Sequence, residues 1–271
     1  MEEDREEQNN ELLALESILD AAQFKYERDN GFMKVDLILN DSQIELRSPD
    51  SATSSADVNR HFVEYLPPFT LSFTLPPDYP STNPPTFTLS CSWLPRQQLY
   101  RLCLKLDEIW SNDRGSVVLY QWYDFLQNQA LEHLSIKSCL EICSDRKVHL
   151  TLMCDDEEID SNILQRAVQD IQSESEILPL LLTYNQNQLK KVFDSSLYSC
   201  EICLESKLGA QCVEIKGCKH VYCKDCLSSY FNVNISEGNV KGLNCPEPSL
   251  RNTTIAKPNT GISKSRIIRS L

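Results

Sequence analysis

Seven side chains near the C-terminal end of this 271-residue chain have the types and spacing of metal ligands. They read Cys200-x2-Cys203, then fourteen residues, then Cys218-x-His220-x2-Cys223-x2-Cys226, then eighteen residues to Cys245. Two cysteines separated by two residues can close on one tetrahedral ion, with Zn–S near ~2.3 Å, and two such pairs complete an all-thiolate site. Cys200 and Cys203 would pair with Cys223 and Cys226, while Cys218 and His220, which interrupt them, would pair with Cys245. The competing chemistry is a pair of redox Cys-x-x-Cys motifs. That reading leaves Cys218, His220 and Cys245 without a role, so the spacing predicts bound Zn2+.

Interleaved pairs of this kind are what a cross-braced module with two zinc ions requires, and the stretch resembles a RING finger. An eighth ligand would fall two to five residues after Cys245, where the chain reads Pro246-Glu247-Pro248-Ser249-Leu250. No Cys or His follows Cys245. The first site is complete on paper and the second is open. An open three-ligand zinc is the form of a catalytic site, but a shortened structural site is the favoured reading here. Glu247 could supply an oxygen, and Cys212 is a spare thiol that breaks the ligand order; neither is assigned.

The elements around this stretch follow from composition. The length fits two domains with connecting segments. An apolar fraction of 41% is slightly below the globular norm, so parts of the chain are expected to lack a core of their own. A net charge of -13 argues against direct nucleic-acid binding, which Lys and Arg drive. Met1 is followed by Glu2, Glu3 and Asp4 rather than by a basic and then apolar stretch, so no secretory signal is read. The most apolar run, Ile177 to Leu182, contains Pro179 and is far short of the roughly 20 residues that cross a bilayer. Twelve cysteines without an export signal point to metal binding and free thiols in the cytoplasm or nucleus.

Ahead of the cysteines, Leu12, Leu15 and Leu19, with Ile18 beside them, have helical spacing. Phe32 to Leu39 and Gln43 to Arg47 alternate as strands, and Ser48 to Asn59 has the polar composition of a loop. Phe69 to Leu75 places four apolar residues on one face and three hydroxyls on the other, as in a sheet with one wet face. The prolines of Pro76 to Pro85 exclude helix and central strand, and a short strand at Phe87 to Leu89 closes that turn. Two helices follow, with Leu99, Leu102, Cys103, Leu106 and Trp110 on one and Val118, Trp122, Phe125 and Leu126 on the other. The expected architecture is an α+β sandwich with helices covering one sheet face.

Tyr79-Pro80-x3-Pro84-Pro85 after a strand, behind an N-terminal Leu-Leu-Ala-Leu helix, resembles an RWD domain over about residues 6–137. The resemblance implies the sandwich of ubiquitin-conjugating enzymes without their active site, and a role in binding substrate or regulatory proteins. After Leu89 there is no His-Pro-Asn element. Cys91 has no neighbouring His to generate a thiolate and reads as incidental, and Cys103 reads as core.

Residues 138–197 read as an acidic helical linker. Asp155 to Glu158 is a solvated run; Ile163, Ala167 and Asp170/Ile171, then Leu181, Leu189 and Phe193, mark two helices with a break at Pro179. Cys139, Cys143, His149 and Cys154 have no usual closed-site spacing, and Lys147 to Leu152 alternates as a strand. From 249 to 271 the chain is basic and polar, the composition of a disordered tail.

The order of RWD domain, linker and Cys-Glu-Ile-Cys … Cys-Lys-His-Val-Tyr-Cys-Lys-Asp-Cys … Cys-Pro-Glu-Pro resembles the RING-between-RING ubiquitin ligases. The resemblance implies that residues 198–248 are a first RING, incomplete, that receives a ubiquitin-charged conjugating enzyme (E2). Ile202, Leu227, Tyr230, Phe231 and Pro246 would form the E2-binding face; alternatively Ile202 and Phe231 are core of the small module. In that family a cysteine of a second RING then carries ubiquitin. None of Cys139, Cys143, Cys154 or Cys212 matches that motif, so no catalytic residue is assigned. The chain reads as truncated after its first RING, with a non-catalytic zinc-binding adaptor or competitor as the alternative.

Overall fold

The computed structural model describes residues 2–39, 41–47, 60–142, 160–170, 174–238 and 245–247. The expected loop at 48–59, Cys143, His149, Cys154, the strand at 147–152, the acidic run, Ile171, Pro248 and the tail at 249–271 lie outside them. The chain divides into two compact units, Met1–Gln186 and Asn187–Leu271.

The first unit opens with helix α1 (Glu2–Ile18), which buries Asp4, Gln8, Glu11, Leu12 and Leu15 along one face. Strands β1 (Phe24–Glu27), β2 (Asn30–Val35), β3 (Ile44–Arg47), β4 (His61–Val63), β5 (Phe69–Thr74) and β6 (Thr86–Cys91) follow. The strand expected to reach Leu39 ends at Val35. There the chain leaves the sheet and the Ile38 N–H donates to the Gln127 carbonyl at 3.1 Å, while Leu37 and Leu39 still pack on the core. In β5, Phe69, Leu71 and Phe73 are buried while Ser72 and Thr74 are exposed, the alternation of a sheet wet on one side.

Helices α2 (Arg96–Asn112) and α3 (Leu119–Asn128) cover the buried face. The buried residues of α2 are the five expected from spacing: Leu99, Leu102, Cys103, Leu106 and Trp110. Trp122 of α3 meets Phe87 edge-on at 4.7 Å and donates its indole N–H to the Leu106 carbonyl at 2.9 Å. A one-turn helix α4 (Ala130–His133) leads to β7 (Cys139–Glu141), which pairs parallel with β3 in a sheet ordered β4-β3-β7.

The segment read as linker corrects two expectations. Helix α5 (Ser161–Arg166) stops before Ala167, which lies instead in β8 (Ala167–Gln169), parallel to β6 and completing the order β1-β2-β5-β6-β8. A helical period of so few residues could not distinguish the two, and the sheet edge decides. Helix α6 (Ile177–Ser195) is not broken at Pro179, which sits in its first turn, where no backbone N–H is needed. Ile177 and Leu181 belong to the first unit's core, and the Asn185 side-chain oxygen accepts the N–H groups of Glu64 and Tyr65 at 2.8 and 3.0 Å.

The second unit holds two hairpins and a helix: β9 (Leu197–Ser199) with β10 (Ser206–Leu208), β11 (Cys212–Glu214) with β12 (Val221–Cys223), and α7 (Lys224–Ser236). Its small core joins Cys200, Cys212, Ile215, Tyr222, Cys223, Leu227, Phe231 and Cys245. Gly209 is required by close approach, since a Cβ there would stand 1.8 Å from the Phe193 carbonyl oxygen. Among the described residues no helix is long and apolar enough to cross a membrane.

Candidate metal centre

Tight backbone turns place the thiols. The Leu204 N–H bonds the Cys200 carbonyl at 2.7 Å and the Cys200 N–H bonds the Glu205 carbonyl at 3.0 Å, folding Cys200 and Cys203 into one knuckle. Leu204 takes a left-handed φ of 60° to close it, a conformation costly for a leucine. Cys223 ends β12 and caps α7, and Cys226 follows in the first turn of that helix. The sulfurs of Cys200, Cys203, Cys223 and Cys226 all lie within 4.8 Å of one another. Cys203 and Cys223 are 3.9 Å apart, close to the about 3.8 Å that tetrahedral thiolates at ~2.3 Å from one ion would show.

The electrostatics fit a cation. Burial opposes ionisation of Cys200, but N–H groups of Cys203, Cys223 and Ile202 and the Cys223 thiol outweigh it and bring its pKa down to about 6. Cys226 moves the other way, pushed up to about 12 by the Cys223 thiol beside it and by burial. Four thiolates cannot collect here on backbone dipoles alone. A divalent ion at their centre would remove that repulsion and hold the loops together.

The second group is Cys218, His220 and Cys245, again within 4.8 Å. A turn from Ile215 to His220 carries the first two, closed by the Ile215 N–H to the His220 carbonyl at 2.9 Å and the Lys219 N–H to the Ile215 carbonyl at 3.0 Å. His220 presents Nδ1 to Cys245 at 3.6 Å. The buried Tyr222 hydroxyl lies 3.4 Å from the Cys245 sulfur. Burial first, then that sulfur, raise the Tyr222 pKa, so it remains a phenol able to donate to a thiolate. Both groups can therefore hold a metal ion, the second through three ligands. Glu247 is not among the ligand atoms gathered there. Cys212, paired across the ladder with Cys223, belongs to neither group.

The sequence-based site residues divide by exposure. Ile202 is 43% exposed, Pro246 is half-buried and Tyr230 half-buried against Phe231. Leu227 and Phe231, at 1% and 6%, belong to the core and can only support a surface from behind. Two residues escaped the sequence reading. Leu204, 81% exposed beside Ile202, gave no periodic signal, and Tyr222 could have been noticed only as an aromatic residue between two ligands. In the first unit, burial pushes the Cys91 and Cys103 thiols up to about 12, which leaves both inert.

The fold of the first unit defines an RWD-domain protein, and the clustered cysteines of the second could hold a metal ion. The RWD domain family matches residues 6–130. The chain is 38% identical to E3 ubiquitin-protein ligase RNF14 of Danio rerio over 93% of its length and 56% of that protein's. It is 41% identical to the RNF14 of Homo sapiens over 91% of its length and 56% of that protein's. A more distant relative, E3 ubiquitin-protein ligase itt1 of Schizosaccharomyces pombe, is 27% identical over 87% of the chain and 47% of that protein. This is an RNF14-like protein with an RWD domain, and it spans about half the length of the curated relatives it matches.

Proposed function

We propose that this chain is the recruiting half of a RING-between-RING E3 ubiquitin ligase. Residues 198–248 act as its first RING, built around Zn2+, and the RWD domain binds substrate or regulatory proteins in the cytoplasm or nucleus. Zinc supplies structural cross-links: one ion held tightly by Cys200, Cys203, Cys223 and Cys226, and a second held less firmly by Cys218, His220 and Cys245. The docking face for a ubiquitin-charged E2 consists of Ile202, Pro246 and Tyr230, with Leu227 and Phe231 fixing it from the core and Leu204 extending it.

The observation that carries this reading is the pair of interleaved ligand groups, combined with a large apolar side chain left in solvent on the knuckle between two ligands. Exposed apolar residues on a rigid loop are what a protein partner desolvates. Transfer itself is assigned to residues other than those described. Cys91, Cys103 and Cys212 are buried, burial raises the thiol pKa of Cys139, and the other six described cysteines belong to the two candidate ligand groups.

A second reading, that the chain is a non-catalytic adaptor or competitor, is favoured by the same scarcity of a reactive thiol among the described residues. Incubation with an E2 carrying ubiquitin as a thioester separates them. Accelerated discharge to lysine, or a ubiquitin thioester on a cysteine of this chain, supports the ligase; binding that is lost on Ile202→Ala without any discharge supports the adaptor. Absence of both binding and discharge refutes the recruiting role.

A further inference from the structure

The RWD match ends at residue 130, so the last sheet strand within it, β6, would present an open edge. This chain closes that edge with residues 160–170, which come from outside the match. Leu89, Ser90 and Cys91 pair with Ala167, Val168 and Gln169, and the Asp170 N–H reaches the Cys91 carbonyl at 3.2 Å. Of the segment's apolar side chains, Ala167 is fully buried and Ile163 of α5 packs part-buried on the core. The other contacts that hold it are polar, and many of them grip backbone. Arg96 donates to the Leu164 carbonyl at 2.8 and 3.2 Å and to the Ala167 carbonyl at 3.0 Å. The Asp160 N–H donates to the Tyr100 hydroxyl at 3.2 Å.

Besides the packing of Ile163, two features of the clasp read sequence. Arg166 forks onto both carboxylate oxygens of Asp107, with one contact at 2.9 Å, and its guanidinium lies 4.4 Å from the centre of the Phe87 ring. The position after it must be small, because it is enclosed between β6 and α2.

We propose that the β6 edge and the flank of α2 form a strand-addition site for an extended peptide of a partner protein, one carrying arginine followed by a small apolar residue. Residues 160–170 occupy this site in cis and must be displaced before the partner docks. Main-chain bonds to an exposed edge supply affinity and the Asp107–Phe87 clamp supplies selection. Asp107 gives the site the charge that complements the arginine. Tethering gives the internal segment a high effective concentration, so it excludes weak competitors.

The test uses the full chain. Ala167→Asp places a charge at a fully buried position and evicts the segment, while Arg96, Tyr100, Asp107 and Phe87 remain. A fluorescent peptide of sequence 160–170 is expected to bind this variant and to restore hydrogen-exchange protection of the β6 amides that face β8. The unmodified chain should bind the peptide at least about tenfold more weakly, because its own copy competes. The peptide carrying Ala167→Asp should not bind. Arg166→Ala, which leaves the strand residues intact, should raise exchange at the same amides. The proposal is overturned if the evicted edge exchanges freely yet takes no peptide, or if Arg166→Ala leaves exchange unchanged. It is equally overturned if Ala167→Asp unfolds β1 to β6 together, since the segment would then be a fixed fifth strand.

Discussion

The Tyr79 hydroxyl donates to the Glu11 carboxylate at 2.8 Å inside the first unit, joining α1 to the proline-rich turn. The other Glu11 oxygen accepts the Leu119 N–H at 2.6 Å, and the Tyr79 hydroxyl accepts the Val118 N–H at 2.7 Å. One carboxylate thus ties the first helix, the turn and the start of α3. Its burial outweighs these bonds and raises the Glu11 pKa from 4.5 to about 7.

A buried carboxylate with a raised pKa makes stability fall as pH rises. Between pH 4.5 and about 7 the folded chain binds more protons at Glu11 than the unfolded chain does. This contribution is fully present below that window and lost above it, about 3 kcal/mol in all. Glu11→Gln keeps an acceptor for Leu119 and removes the titration. Urea unfolding of both proteins at pH 5 and pH 8 should show the wild type losing stability relative to Glu11→Gln. A pH-independent difference between them would refute this.

Tyr79→Phe should cost about 1–3 kcal/mol, because it leaves the buried Val118 N–H without its acceptor and one Glu11 oxygen without its donor. The denaturation midpoint of the first unit measures it. An unchanged midpoint would mean that the hydroxyl is replaceable by water.

Leu181 tests whether the segment after residue 137 is linker or core. It is fully buried in the first unit. Leu181→Ala should destabilise that unit by about 2–5 kcal/mol. A free linker would lose almost nothing.

Chelation tests the metal centre. Removing Zn2+ should unfold the region around residues 200–247, because structural sites of this type contribute roughly 10–16 kcal/mol of apparent binding energy in small peptides. Native mass spectrometry should find one ion that survives mild chelator and another that does not. Cys226→Ser should abolish the resistant one. Two equally resistant ions would show that the Cys218, His220 and Cys245 group is as complete as its neighbour.

Leu204→Asp and Ile202→Ala should each weaken binding to a charged E2 by about tenfold or more without changing zinc content, as expected for side chains at the centre of an interface. Equal binding by both variants would move the docking face elsewhere.

Local pattern determined much of this protein. Alternation in Phe69 to Leu75 and the period of Leu99 to Trp110 both fixed which side faced the core, since each element has one buried face and enough residues to display its repeat. The spacing of the seven candidate ligands predicted their grouping into two clusters, because a tetrahedral ion leaves few ways to pair them. Tertiary structure decided what depends on a neighbour remote in sequence. Ala167 became a strand residue because the edge of β6 offered unpaired backbone groups, and Pro179 stayed helical because it lies in a first turn. Leu227 and Phe231 went inward because so small a unit needs them as core, which left Ile202 and Leu204 in solvent. The acidity of Glu11 is set by enclosure between a turn and two helices, which no residue adjacent to it in the chain encodes.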